Sequence, residues 1–211
     1  MAGAGTGTPA TDSSSTKRYA TVADLSGRLD IIDTDDDLML ASILDAVSRW
    51  IDHYCGRHFW YETATRYYTA GDSALFLCPD DIISITMMYT DDDGDRGYSI
   101  TWAATDFELE PYNAALKNRP YTAIRTAPVG RYAFPAMRKG IKITGVFGFW
   151  TAVPDEVEEA CLLLSERIYQ RKNAIFGVMG SIETGMMMIT DFDPDAALLL
   201  RPFVRIGALA V

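Results

Sequence analysis

A long amphipathic helix is the clearest pattern in the sequence and limits the folds available to it. Its apolar residues recur at steps of three and four, the spacing that gathers side chains on one helix face. They are Leu40, Ile43, Leu44, Val47, Trp50, Ile51 and Tyr54, and the opposite face is predicted to carry Ser42, Asp45, Ser48, Arg49 and Asp52. Gly56 ends the pattern, because glycine adopts the left-handed C-cap conformation without strain. The helix is predicted from Asp36 to Cys55, roughly 30 Å at 1.5 Å per residue.

Two further helices are predicted on either side of this one. Residues 21–29 form a short helix, with Thr21 as the N-cap and Asp24 three residues later. A second long helix begins at Pro154, because proline suits the first helical position and acidic residues follow at the positive end of the helix dipole. Its apolar stripe consists of Val157, Cys161, Leu164 and Ile168. This helix is expected to end before Gly177 and to pack against the first long helix.

Between the two long helices the pattern changes to that of β-strands. The segments are short, rich in Thr, Ile, Val and aromatic residues, and bounded by turn residues. They are residues 65–69, 74–77, 82–90, 98–102, 121–126 and 140–147. The run from Asp91 to Gly97 is a strong turn signal, so the two strands beside it are predicted to form a hairpin.

These patterns predict an α+β fold in which a helical core, two long helices plus a short N-terminal helix, carries an inserted small antiparallel β domain. The predicted parts are a flexible N-terminal arm (1–20), the first part of the helical core (21–56), the β domain (57–150), the second part of the core (151–180) and an extended C-terminal tail (181–211). The arm is rich in Gly, Thr, Ser and Ala, which bury too little surface to order alone. We expect it to be disordered or laid against a partner.

Composition places the chain among ordinary globular proteins, with 48% apolar and 23% charged residues. Its three cysteines are odd in number and far apart, which disfavours a disulfide framework and favours a reducing cytoplasm. No stretch reaches the roughly 18 apolar residues of a membrane-spanning helix. The first twenty residues also lack the apolar middle of a secretory signal. No membrane partner is therefore expected.

The formal charge of −10 disfavours a nucleic-acid reader, since phosphate contacts require a basic face. An acidic wall could still surround DNA, because like charge repels the duplex and prevents sticking. The plainer interpretation, that the acidity keeps the protein soluble, is the favoured one on composition alone.

The sequence offers two candidate metal sites, and both are weak. His53, Cys55 and His58 could supply three zinc ligands, but a stable site needs four and no further ligand lies nearby in sequence. A capped helix end is the favoured interpretation. The acidic run 91–95 lacks the glycine and glutamate spacing of an EF-hand calcium loop, which favours a solvated hairpin tip. No metal site is predicted.

Catalytic and cofactor motifs are equally weak. The sequence contains neither a Gly-x-Ser-x-Gly nucleophile turn nor a phosphate-binding Gly-x-x-x-x-Gly-Lys loop. The acidic pairs Glu108/Glu110 and Glu158/Glu159 are expected at the surface. No catalytic residue and no cofactor are therefore predicted. The alternative is a stand-alone enzyme or small-ligand-binding domain with its site on the β domain.

The C-terminal tail carries more large apolar groups than a solvated segment usually does. It must dock on its own domain or on a neighbour, and a neighbour is favoured because the tail follows a helix that already closes the domain. The predicted docking residues are Met187, Ile189, Phe192, Pro194, Leu198, Leu199, Arg201, Pro202, Phe203 and Arg205, the two arginines being charged partners at the rim.

Several short motifs follow one another in a characteristic order. They are Ile51-Asp52-x-Tyr54-Cys55-Gly56-Arg57-x-Phe59, Arg66-Tyr67-Tyr68 at the start of the β segments, Pro154-Asp155-Glu156-Val157 leading to Glu166-Arg167 and Arg171, and Asp191-Phe192-Asp193-Pro194-Asp195. Together they span roughly residues 20–205. In this order they resemble the head–tail connector, or adaptor, proteins of tailed double-stranded DNA bacteriophages and related gene-transfer particles.

The resemblance implies a non-enzymatic virion protein, made in the host cytoplasm, whose helical core forms a twelve-fold ring beneath the portal protein at the head–tail interface. It also implies that a tail or stopper protein binds the opposite face, and that DNA passes through the centre without sequence-specific binding. Family members extend a C-terminal tail onto the portal or an adjoining subunit. Twelve copies at −10 each would give the ring a charge of roughly −120.

Overall fold

The computed structural model describes residues 17–71, 73–128, 130–171 and 193–205, together with the backbone of two short strands at 178–179 and 187–188. The chain divides into two compact units, a helical unit that includes residues 17–58, 152–171 and 193–205, and a β unit that includes residues 59–151. Helices and antiparallel sheets are both present, which confirms the predicted α+β class.

The described part of the helical unit contains four α-helices: α1 (Val22–Arg28), α2 (Asp37–Cys55), α3 (Asp155–Gln170) and α4 (Pro194–Leu200). Helix α1 begins with the predicted capping box between Thr21 and Asp24. Helix α2 ends at the predicted left-handed glycine, where Gly56 has φ 62° and ψ 30°. Helix α3 packs against α1, α2 and α4, so it lies at the centre of this unit.

Helix α2 buries Leu40, Leu44, Val47 and Ile51 as predicted, but its buried face departs from the prediction at three positions. Ser48 is fully buried and Asp52 is 7% exposed, although both were assigned to the polar face. Trp50, assigned to the apolar stripe, is 39% exposed. The reason is Tyr19, which is 1% exposed, takes up a site on α2 and donates its backbone N–H to Ser48 Oγ at 3.1 Å.

The sequence predicted that Tyr19 and Ala20 end a flexible arm, but both residues are packed into the helical unit. Ala20 is 3% exposed, and the Tyr19 hydroxyl donates to the buried carboxylate of Asp52. Arg49 and His58 lie 3.2 Å and 3.4 Å from the same carboxylate. Burying a carboxylate is costly unless it is paired and hydrogen-bonded, and these groups provide that pairing. Residues 1–16 of the predicted arm lie outside the described residues.

The described residues of the β unit form two antiparallel sheets. The strands are β1 (Tyr61–Tyr68), β2 (Phe76–Leu77), β3 (Ile82–Thr90), β4 (Ile100–Trp102), β5 (Phe107–Glu110), β6 (Ala123–Thr126) and β7 (Ile141–Gly148). One sheet has the order β1-β7-β3-β4 and the other β2-β6-β5. The predicted hairpin is confirmed, because β3 and β4 pair directly. Strand β5 was not predicted; it pairs with β6 along its whole length.

Trp102 organises the core of the β unit. Its ring stacks on Phe134 with centroids 5.0 Å apart and 6° between the ring planes. Its indole N–H donates to Thr90 Oγ1 at 3.1 Å, which satisfies the polar atom of an otherwise apolar side chain. Ile141, Ile143 and other apolar residues of the central strands complete this core.

Beyond α3, the backbone of Val178–Met179 pairs with that of Met187–Met188 as strands β8 and β9. Helix α4 then begins at an Asp193 cap, whose carboxylate accepts from the backbone N–H groups of Asp195 and Ala196. A 3-10 turn over Arg201–Phe203 follows.

Candidate functional site

The segment 193–205 is the described part of the predicted docking tail, and it packs on its own helical unit. Ala196 and Leu200 are fully buried and Phe203 is 6% exposed. Helix α4 contacts α3, and the backbone N–H of Arg205 donates to the carbonyl of Cys55 at 2.8 Å. One face of this segment therefore completes the helical unit.

The opposite face of the same segment is open to solvent. Leu198 is 67% exposed, and Pro194, Arg201 and Pro202 are exposed beside it, while Leu199 is half-buried. Four predicted docking residues therefore lie on one accessible surface, which we call the α4 surface. The side chain of Met187 and all of Ile189 and Phe192 lie outside what the structure describes.

An apolar groove lies between α2, α3 and the start of α4. It has a volume of about 280 Å³ and is lined by Ala46, Val47, Trp50, Leu164, Arg167, Ile168, Arg171 and Asp193. Trp50 stacks on Tyr54 with ring centroids 5.2 Å apart, which fixes the indole at one edge of the groove. Arg167 binds Asp193 at 3.1 Å at the other edge. The groove was not predicted from the sequence, because Trp50 and Ile168 fit the apolar stripes of α2 and α3.

The acidic hairpin loop is braced by its own side chains. Asp91 is 1% exposed, not solvated as predicted, because its carboxylate accepts from the backbone N–H groups of Gly94 at 2.9 Å and Arg96 at 3.2 Å. Asp93 and Asp95 are exposed and accept from Asp95 and Gly97 in the same way. These three carboxylates lie close enough to share an ion. Because they accept hydrogen bonds from backbone N–H groups of the loop, these carboxylates stabilise the conformation of the turn.

The histidines at the end of α2 have separate environments. His53 is exposed, and His58 faces Asp52 at 3.4 Å, whereas Cys55 is fully buried. Within the described ranges, the acidic loop is the only cluster of three or more potential metal ligands, so His53, Cys55 and His58 do not converge.

The acidic pair on β5 is engaged in local contacts. Glu110 binds Arg125 at 2.9 Å on the neighbouring strand, and Glu108 accepts a hydrogen bond from the Tyr112 hydroxyl. That bond to Glu108 raises the pKa of Tyr112 above its usual value. A shallow depression lined by Ser84, Phe107 and Tyr121 lies beside this pair.

The cysteines give a direct test of the packing described above. Burial raises the pKa of Cys55 to about 12 and that of Cys161 to about 11, whereas Cys78 is exposed. Because the thiolate is the reactive form, we expect one thiol per chain to react quickly with an aromatic disulfide reagent at pH 8 and two to react only on unfolding. The reaction is followed by absorbance, with a Cys78→Ser variant as control. Fast reaction of that variant would contradict the buried positions of Cys55 and Cys161.

The fold and these surfaces define an α+β protein whose described residues present an open groove and an exposed apolar helix face. Among those residues, no helix is both long and apolar enough to cross a membrane. No protein-family model and no curated protein matches the sequence.

Solved structures of gene transfer agent (GTA) particles contain chains of the same fold. A chain from the neck of an empty GTA particle, computed with C6 symmetry, has a TM-score of 0.53 and 18% identity, covering 86% of this chain and 87% of that chain. A chain from the neck of a native GTA particle, computed with C12 symmetry, has a TM-score of 0.51 and 17% identity, covering 86% of each chain. A chain from the virion of the native particle has a TM-score of 0.52 and 18% identity, covering 86% and 87%. The resemblance to connector proteins found in the sequence is thereby confirmed at the level of the fold.

Proposed function

We propose that this chain is a structural subunit of the neck of a tailed, phage-like particle, where it joins the DNA-containing head to the tail. The observation that carries the proposal is the fold shared with GTA neck chains over 86% of the sequence. Near-complete coverage of both chains supports a common assembly role, because the likeness is not confined to one small motif. The role is structural, in keeping with neighbours that are components of a particle.

The proposed assembly is a homo-oligomeric ring, formed by surfaces that every copy carries. The neighbours come from necks computed with C6 and C12 symmetry, which supports a ring with twelve positions. One rim of the ring binds the portal protein and the other binds the tail or a stopper protein. DNA passes through without sequence-specific contacts, and the net charge of −10 per copy favours passage over adhesion.

The α4 surface is the proposed docking surface for the portal or for an adjoining subunit. It presents Leu198, Pro194 and Pro202 as apolar contacts and Arg201 as a charged contact at the rim. Exposed apolar side chains next to a charged group are typical of a protein–protein contact. Phe203, also predicted as a docking residue, is buried in its own unit and is therefore proposed to hold this surface in place and not to contact the partner. Met187, Ile189, Phe192, Leu199 and Arg205 remain proposed contacts of the same tail.

Particle assembly without this chain tests the proposal. We expect DNA-filled heads and free tails to accumulate separately when its gene is deleted, and purified full-length protein to restore joined particles in an extract. Electron microscopy counts the joined fraction. A chain with Leu198→Ala and Arg201→Ala should restore joining less well than the native chain. Normal numbers of joined, infectious or DNA-transferring particles in the deletion would contradict the proposed function.

A further inference from the structure

An acidic segment with two fully exposed apolar side chains lies between α1 and the first turn of α2. We define it as residues 30–38, which contain five aspartates and no basic residue. Ile32 is 99% exposed and Leu38 is 88% exposed, the highest values among the large apolar residues of the described chain. An isolated exposed apolar residue needs no explanation, whereas two in one short acidic segment make that segment a candidate for a contact with another protein.

The apolar groove has complementary properties. Its floor is formed by Val47, Leu164 and the exposed parts of Trp50 and Ile168, which are 39% and 42% exposed. Arg171 is exposed at its edge, and the nearby Arg167 already binds Asp193. A ligand for this groove should therefore bring apolar side chains together with negative charge, because both features of the groove would then be satisfied.

The acidic segment and the groove lie on opposite sides of α3. Glu159 and Glu166 of α3 bind Arg28 of α1, and Tyr169 donates to Asp36 of the acidic segment. At 3.6 residues per turn, these three positions of α3 point roughly opposite to the groove positions 164, 167 and 171. One molecule therefore cannot bring its own acidic segment to its own groove.

We propose that the acidic segment of one copy binds the apolar groove of the next copy, with Ile32 and Leu38 against Trp50 and Ile168 and the aspartates facing Arg171. The contact joins two different surfaces, so it repeats from copy to copy and closes a ring when the rotation per copy fits. This inference rests on the proposed function, because it names the self-contact of the proposed neck ring.

Cysteine pairing tests the contact directly. In a Cys78→Ser background, which removes the exposed native thiol, chains carrying Ile32→Cys are mixed with chains carrying Ile168→Cys and oxidised at high concentration. We expect disulfide-linked dimers containing one chain of each kind. A chain carrying both substitutions should give a ladder of disulfide-linked multimers, whereas each single variant alone should form no disulfide-linked species. Self-linked Ile32→Cys dimers would overturn the proposal in favour of a symmetric contact.

Charge reversal supplies a second test that does not depend on disulfide geometry. Arg171→Glu should weaken self-association roughly fivefold in sedimentation velocity, within the range for an exposed ion pair, and Asp33→Lys with Asp35→Lys should restore it. All three positions are exposed, so circular dichroism should show unchanged folding. Failure of the lysine substitutions to rescue Arg171→Glu would overturn the charge pairing.

The same cysteine variants separate this inference from the proposed function. If assembled particles contain the chain in their necks but no Ile32–Ile168 cysteine linkage forms there or in concentrated protein, the contact is wrong and the proposed function stands. If the linkage forms in concentrated protein but particles lack the chain, the contact stands and the proposed function is wrong.

Discussion

Replacing Gly145 with alanine is expected to destabilise the β unit by about 1–3 kcal/mol, the usual cost of forcing extra volume into a packed structure. Gly145 lies in β7, the strand between β1 and β3, and pairs with Ala64 on one side and Ile85 on the other. A Cβ atom there would lie 2.2 Å from the carbonyl oxygen of Ser84. Because the obstacle is backbone, a side-chain rotation cannot relieve it, and the strands must separate.

Gly27→Ala is the matched control for this substitution. Gly27 lies in α1, and a Cβ atom at that position meets nothing within 4 Å. Alanine should therefore stabilise the chain by about 0.5–1 kcal/mol, since glycine in a helix carries a larger entropic cost on folding. Urea unfolding followed by circular dichroism measures both variants. Equal stabilities of the Gly145→Ala and native proteins would contradict the close approach of β3 to β7.

Replacing Leu200 with alanine is expected to destabilise the helical unit by about 2–5 kcal/mol, the range for a buried leucine. Leu200 is fully buried at the end of α4, where the segment packs on α3. The substitution removes apolar contacts and leaves a cavity that the surrounding helices fill only partly. Thermal unfolding measures the loss.

Leu198→Ala makes the same chemical change two residues earlier in the same helix. Leu198 is 67% exposed, so its loss should change stability by no more than about 0.5 kcal/mol. If the α4 surface is the docking surface, this variant should instead bind the portal or an adjoining subunit more weakly. A stability loss as large as that of Leu200→Ala would contradict the assignment of the two α4 faces.

Local sequence patterns were sufficient to predict the elements with strong signals. Strand β3 has the predicted bounds, and β7 is displaced by a single residue from the predicted segment 140–147. The glycine stop at Gly56 and the capping box at Thr21 are short-range features, which depend on few neighbours. Such features can be predicted because their physical cause lies within a few residues of sequence.

The errors come from contacts between distant parts of the chain. Ser48 and Asp52 became buried because Tyr19, roughly thirty residues earlier, binds both of them. The spacing of apolar residues within α2 gives no indication that Tyr19 packs on this helix. Strand β5 was missed because Glu108 and Glu110 have low strand propensity, and its formation depends on pairing with β6.

The predicted docking tail illustrates the same limit in the candidate site. Its apolar character was visible in sequence, but the division into a buried face and an exposed face was not. Phe203 is packed within its own unit, whereas Leu198 faces solvent. That division follows from the position of α3, which only the folded chain supplies.

The most direct test of the central claim is a cryo-electron microscopy reconstruction of the neck of particles that carry this chain. We expect a symmetric ring between portal and tail whose subunit density fits the helical unit and the β unit, each docked separately. Density at that position explained entirely by other proteins, with this chain absent from purified particles, would contradict a neck role.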